Sequence, residues 1–161
     1  MAFLVSFNCF GYDTNRVNSA LGGSENVETI ANADSVRVWR TLGSLEMGRG
    51  KDRESTKTPD LGDFYLKSGK AKLVSANLAS KLSELLLNKN YGDRSLWSKN
   101  CMVLPGVIVS FSKGNQNVDA FFCFDCNIFL VKPVNQTGYR SNDFDAERPA
   151  FLSVIKKIFR N

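Results

Sequence analysis

CMVLPGVIVSFSKGNQNVDAFFCFDCNIFLV, residues Cys101 to Val131, holds three of the chain's four cysteines and its densest run of β-forming residues. Val107, Val109 and Phe111 alternate with Ile108 and Ser110, the period of two that marks a strand. The polar run Ser112-Lys113-Gly114-Asn115-Gln116-Asn117 follows, with Gly and Asn able to take positive φ, and reads as a hairpin loop. Val118, Ala120, Phe122 and Phe124 then share one face of a second strand, with Asp119, Phe121 and Cys123 on the other. Asp125-Cys126-Asn127 reads as a turn, because Asn tolerates the left-handed conformation. Ile128 to Val131 form a third strand, ended near Pro133, which cannot donate to a ladder. Phe121, Phe122 and Phe124 make both faces of the middle strand apolar. Such a strand is central and covered twice, so helices are required on at least one face.

Working outward, two stretches have the period of a helix. In Ala76–Leu87, Leu78, Leu82, Leu85 and Leu86 form one apolar stripe, with Ser75 placed as N-cap. In Pro149–Phe159 the stripe is Phe151, Leu152, Ile155, Ile158 and Phe159. Asp145 and Glu147 near its start and Lys156, Lys157 and Arg160 near its end suit the helix dipole, and Pro149 fits the first turn. Asn88–Asn100 is a polar connection that Tyr91 and Trp97 pin to the core. Ser35–Leu42 alternates as a strand. Phe64–Leu66 and Ala71–Val74 flank Lys67-Ser68-Gly69-Lys70 and predict a second hairpin. The apolar start, Met1–Phe10, reads as an N-terminal strand. Residues 11–34, with Gly22-Gly23, read as loop, with one short helical turn near Val27–Ala31. Residues 43–60 are charged and Gly-rich and predict a long exposed loop. The expectation is an α+β fold in a single domain, residues 1–161. An antiparallel sheet of about five strands, with the C-terminal three-stranded meander, carries two main helices on one face.

Cys101-x-x-x-Pro105-Gly106-Val107, Val118-Asp119 and Cys123-Phe124-x-Cys126-Asn127, followed by Leu130-Val131, form a pattern. It resembles that of a group of small uncharacterised bacterial proteins, in which a C-x3-PG(V/I) strand leads to a VD…CFxC strand. There the pair follows a helix like Leu78–Leu87 and precedes one like Leu152–Phe159. The likeness covers the second half of the chain. It implies the architecture and no activity.

The chain has 161 residues, enough for a core that needs no staple. It has no histidine, which excludes Ser-His-Asp and Cys-His triads, His zinc ligands and imidazole general bases within one chain. Net charge is +5. The basic excess is spread, its largest share between Arg37 and Lys72, and lacks the dense stripe of a nucleic-acid binder. No apolar run approaches the ~20 residues of a membrane helix. Met1–Phe10 lacks the basic n-region and small-residue cleavage site of a secretory signal. The expected compartment is the cytoplasm, with an exported, disulfide-stapled form as the alternative.

Cys101, Cys123 and Cys126 form the candidate thiol cluster. Buried free thiols are the first reading, since Cys packs as a small hydrophobe. A structural disulfide from Cys101 to Cys123 or Cys126 comes second. Zinc at Cys101, Cys123 and Cys126, completed by Cys9 or an Asp, comes third, because a second closely spaced pair is missing. A reactive thiol comes last, since the pair sits at a strand end and not at a helix N-terminus. Asp119 and Asp125 are candidate polar neighbours and, with Glu84 or Asp143, a conceivable divalent-metal set, although isolated carboxylates carry no ligand geometry. Arg49, Lys51 and Arg53 are candidate anion contacts, but the phosphate-loop spacing is absent. Trp39 and Trp97 read as core or rim anchors. With no histidine and no clustered polar site, the expectation is a non-catalytic interaction or accessory protein that binds another protein without a cofactor. Its contact surface is a free sheet edge or the 43–60 loop. A cysteine-dependent redox or metal-binding protein is the alternative, and a weak nucleic-acid binder a further one.

Overall fold

The computed structural model describes residues 14–41, 67–89, 91, 99, 103–132 and 138–160. Its elements are α1 (Thr14–Leu21), α2 (Ser24–Ala31), β1 (Ser35–Thr41), β2 (Lys67–Leu73), α3 (Ala76–Leu87), β3 (Val107–Lys113), β4 (Gln116–Cys123), β5 (Ile128–Val131), β6 (Arg140–Asp143) and α4 (Arg148–Arg160). The strands form one sheet in the order β2-β1-β3-β4-β5-β6, with every neighbouring pair antiparallel. Strands β3 to β6 are a meander. β1 lies between β2 and β3, so the α3 connection crosses over it. The fold is α+β, as the sequence pattern predicts.

Register follows the apolar alternation. Val109 stands opposite Val38 and Ala120, and Phe122 opposite Val107 and Phe129. These side chains share one face with Val36, Phe111, Val118 and Val131, and the helices cover it through Leu21, Ile30, Leu82, Leu86, Phe151 and Ile155. The other face holds a smaller cluster of Ile108, Phe121, Cys123, Cys126, Ile128 and Leu130, with Trp39, Val103 and Tyr139 packed against it. The middle strand is therefore covered on both sides. We call the two sides the helix face and the outer face.

The β3–β4 loop is tighter than its polar run suggests. Lys113 pairs with Gln116, leaving only Gly114 and Asn115 in the turn. Gly114 has φ +54° at the first central position, where glycine is required in a type II′ hairpin turn. Its N–H also donates to Asp34 Oδ2 at 2.8 Å.

Three expectations are corrected. Most of residues 14–31 is helical, in two helices broken at Gly22 and Gly23, both with positive φ. The buried face of α2 includes Asn26 and Thr29, which hide its apolar stripe. Asn26 Nδ2 donates to the carbonyls of Leu21 (2.6 Å) and Lys132 (3.1 Å), and so satisfies its burial. Lys67–Lys70 is no turn but part of one strand, β2. An edge strand buries one side at most and tolerates lysine. The sheet also gains β6, whose sequence, Arg-Ser-Asn-Asp, has no β propensity and which exists through pairing with β5. Ser75 stands at the α3 N-cap without a side-chain cap bond. The expected N-terminal strand, Phe64–Leu66, Trp97 and the 43–60 loop lie outside the described residues.

Candidate functional site

The CFDC motif sits at the β4–β5 junction. Cys123 ends β4, and Phe124–Asn127 make the turn, with Asn127 at φ +53°, the left-handed conformation its side chain permits. Cys123 is a free thiol with no solvent exposure. Cys126 is disulfide-bonded. The two motif cysteines are thus not bonded to each other. A disulfide sulfur is not a thiolate, so zinc at Cys101, Cys123 and Cys126 would require the reduced chain. A thiol with no exposure cannot meet a substrate. Among the described residues no three Cys, Asp or Glu side chains stand close enough to hold a metal.

Among the described residues, Asp119, Asp125 and Glu84 lie on different elements. Asp125 is exposed at the turn. Asp119 is half-buried on β4 opposite Ser110, four strand residues and roughly 13 Å before the Cys123 end of β4. Glu84 lies on α3. Cys101, Arg49, Lys51 and Arg53 lie outside the described residues.

A cluster that the sequence does not announce holds the same turn. Lys99 Nζ donates to the carbonyls of Cys126 (3.2 Å) and Asn127 (3.4 Å). It also pairs with Asp143 Oδ2 at 3.2 Å and Asp145 Oδ2 at 2.9 Å. Asn127 Nδ2 donates to Asp145 Oδ1 at 2.7 Å. The Lys99 hydrogen bond, helped by Asn127, holds the Asp145 carboxyl below its ordinary value of 3.8. A lowered carboxyl pKa stabilises the fold above the unfolded value, and that contribution is lost as pH falls through the folded one. Asp145→Asn should therefore lower the urea midpoint at pH 6, and the gap to wild type should close below about pH 4. A gap that stays constant down to pH 2 would contradict the pairing.

The other large feature is the β2 side of the molecule. A groove of about 1080 Å³ opens between α1, α2, α3 and the end of β2. Val17, Val27, Ala79 and Leu87 supply apolar wall, and Asn18 and Ser83 polar points. Beside it, β2 is an edge of the sheet as described. Lys70 and Lys72 on it are exposed, and Leu73 is 70% exposed, the single large exposed hydrophobe among the described residues.

No helix among the described residues is long and apolar enough to cross a membrane. No family model matches the chain, and neither a curated protein nor a solved structure matches it.

Proposed function

We propose that the chain is a non-catalytic interaction protein that accepts an extended segment of a different protein along β2, an edge strand among the described residues. The chemistry of that edge carries the reading. Lys72 stands opposite Val38 and Leu73 opposite Arg37, so Lys72 falls on the helix face and Leu73 on the outer face, just before the register of β2 shifts. A strand added there presents alternate residues to the two faces. Acidic side chains would meet Lys72 and apolar ones would meet Leu73. The lysines also repel a second copy of the same edge, so the partner is another chain. At the Leu73 end the added strand reaches the mouth of the groove, where Val74 and Ala76 line an apolar entry.

The thiols give less support to redox or metal chemistry, because Cys126 is oxidised and Cys123 is sealed in the outer-face cluster. The disulfide favours an oxidising compartment, and so the exported form, over the cytoplasm.

Hydrogen exchange tests the reading. A peptide alternating Glu and Val should slow amide exchange in Lys67–Leu73 by about an order of magnitude at saturation. Unchanged exchange there at millimolar peptide counts against it.

A further inference from the structure

We propose that the groove between α1, α2 and α3 is a binding site for a small amphipathic cation, a molecule with an alkyl or ring body and an ammonium head. Its volume of about 1080 Å³ stands at the upper end of the ~300–1,000 Å³ range of small-molecule pockets. The groove exists because α3 turns small residues toward it. Ala76, Ala79, Ser80 and Ser83 line it, and their spacing puts them on one helix face. Leu82 and Leu86, on the adjoining face, enter the core. Side chains as short as alanine and serine leave space between α3 and the other two helices. Val17, Val27, Val36 and Val74 supply apolar wall, and all but Val27 are buried. An alkyl or ring body would be taken out of water against them.

The charge of the wall selects the head group. The chain is basic, with 21 Lys and Arg against 16 Asp and Glu, yet no Lys or Arg lines the groove, and its charged lining residues are Asp34 and Glu84. Neither carboxylate is in an ion pair among the described residues, whereas Glu28 is held by Lys113 at 2.6 Å and Glu147 by Lys89 at 2.9 Å. Asp34 is fixed from two sides. Its N–H donates to the Ser112 carbonyl at 2.8 Å, and its Oδ2 accepts from the Gly114 N–H at 2.8 Å. A carboxylate held in place before the ligand arrives lowers the ordering cost of binding. Glu84 follows Ser83, whose Oγ donates to the Ile30 carbonyl at 2.8 Å. That bond ties α3 to the end of α2, four residues before Asp34. The helix dipoles do not decide the sign, because α2 ends at the groove and α1 begins there. The two carboxylates do: an anion meets repulsion, a neutral molecule leaves them unused, and an ammonium is attracted to both.

This site goes beyond the reading of β2 and does not rest on it. An added strand is held by backbone hydrogen bonds along the sheet edge. The groove offers an enclosed apolar wall and two carboxylates, and asks for no backbone partner.

Calorimetric titration of the full chain with decyltrimethylammonium, decanol and decanoate tests the proposal. The expected result is a single ammonium bound per chain, roughly tenfold more tightly than decanol, with decanoate the weakest of the set. Added salt should weaken the ammonium and leave decanol unchanged. Asp34→Asn/Glu84→Gln should weaken the ammonium by about tenfold and leave decanol unchanged. Ser80 is exposed on the groove side of α3, so Ser80→Trp fills the groove without disturbing the core, and it should abolish binding of the whole set. Decanoate binding as tight as that of the ammonium, an ammonium affinity that Ser80→Trp leaves unchanged, or no saturable heat at submillimolar concentration overturns the proposal. A peptide alternating Lys and Val that displaces the ammonium, or a dimer that the ammonium fails to dissociate, also overturns it, since the occupant is then a peptide or a second copy.

Discussion

Phe122→Ala is expected to lower the free energy of unfolding by about 3–5 kcal/mol, the range for deleting a well-packed buried ring. Phe122 is 1% exposed, and its ring is the hub of the helix-face core. Ring centroids lie at 4.9 Å for Phe151, 5.5 Å for Phe129, 5.6 Å for Phe144 and 6.3 Å for Phe124. These four rings come from α4, β5, the residue after β6 and the CFDC turn. No one of these elements can collapse into the void without leaving its other partners. Phe144 packs edge-on against Phe124 at 5.4 Å and Phe151 at 5.6 Å, so the shell is itself locked, and relaxation that would soften the cost is blocked. The melting temperature should fall by roughly 2–4 °C per kcal/mol for a chain of this length. Phe122→Leu keeps most of the volume and should cost less than half as much. Urea unfolding measures both, and a loss below about 1 kcal/mol for the alanine variant would mean that the core is not organised around this ring.

Lys89→Met should cost about 2–3 kcal/mol. Lys89 is the one buried charged residue among the described residues, 8% exposed, just past the end of α3. Its Nζ pairs with Glu147 Oε2 at 2.9 Å, immediately before α4. It also stands 5.6 Å from the centroid of the Tyr91 ring. The Tyr91 hydroxyl donates to the Leu86 carbonyl at 2.7 Å. Burial, then the Glu147 charge, pushes that hydroxyl well above the ordinary tyrosine range. The pair thus joins the two helices that flank the core, through a site with little water. Removing the cation leaves the Glu147 carboxylate half-desolvated and alone, which is the expensive half of a broken buried pair. Glu147 keeps 21% exposure, which places the cost below that of a sealed pair. Lys89→Met/Glu147→Leu should recover most of the loss, because both charges are then gone. A double-mutant cycle by urea unfolding isolates the coupling. If Lys89→Met alone lies within about 0.5 kcal/mol of wild type, the pair contributes nothing.

The parts of the fold that were legible share one property: their core positions are purely apolar. α3 starts and ends where its leucine stripe does, and β5 coincides with Ile128–Val131. The strand readings of β3 and β4 follow from helix-face positions, Val107, Val109, Phe111, Val118, Ala120 and Phe122, that no polar residue interrupts. α2 escapes because Asn26 and Thr29 occupy buried positions, where their polarity reads as loop. Their hydrogen bonds include long-range ones, from Asn26 to the Lys132 carbonyl and from Thr29 to Gln116. β2 and β6 are edge strands, whose sequence is constrained by neighbours on one side alone, so local composition misleads. At the CFDC turn, the positive φ of Asn127 was readable from residue type. The Lys99 cluster was not, since its partners are 27 to 46 residues away in sequence and no spacing rule links them. Lys72 and Leu73 of β2 were visible as residues. Their division between two faces became visible only with the pairing register.

That division makes the account's central claim measurable. Fluorescence anisotropy should be recorded for two labelled peptides of equal length, one alternating Glu and Val and the other alternating Lys and Val. The account predicts saturable binding of the Glu-Val peptide, weakened by added salt as exposed charge pairs are screened. Lys70→Glu/Lys72→Glu should weaken it by roughly tenfold, because two attractions become repulsions. The Lys-Val peptide should not bind. Equal binding of both peptides, or no binding of the Glu-Val peptide at millimolar concentration, would contradict the assignment of β2 as the partner-accepting edge.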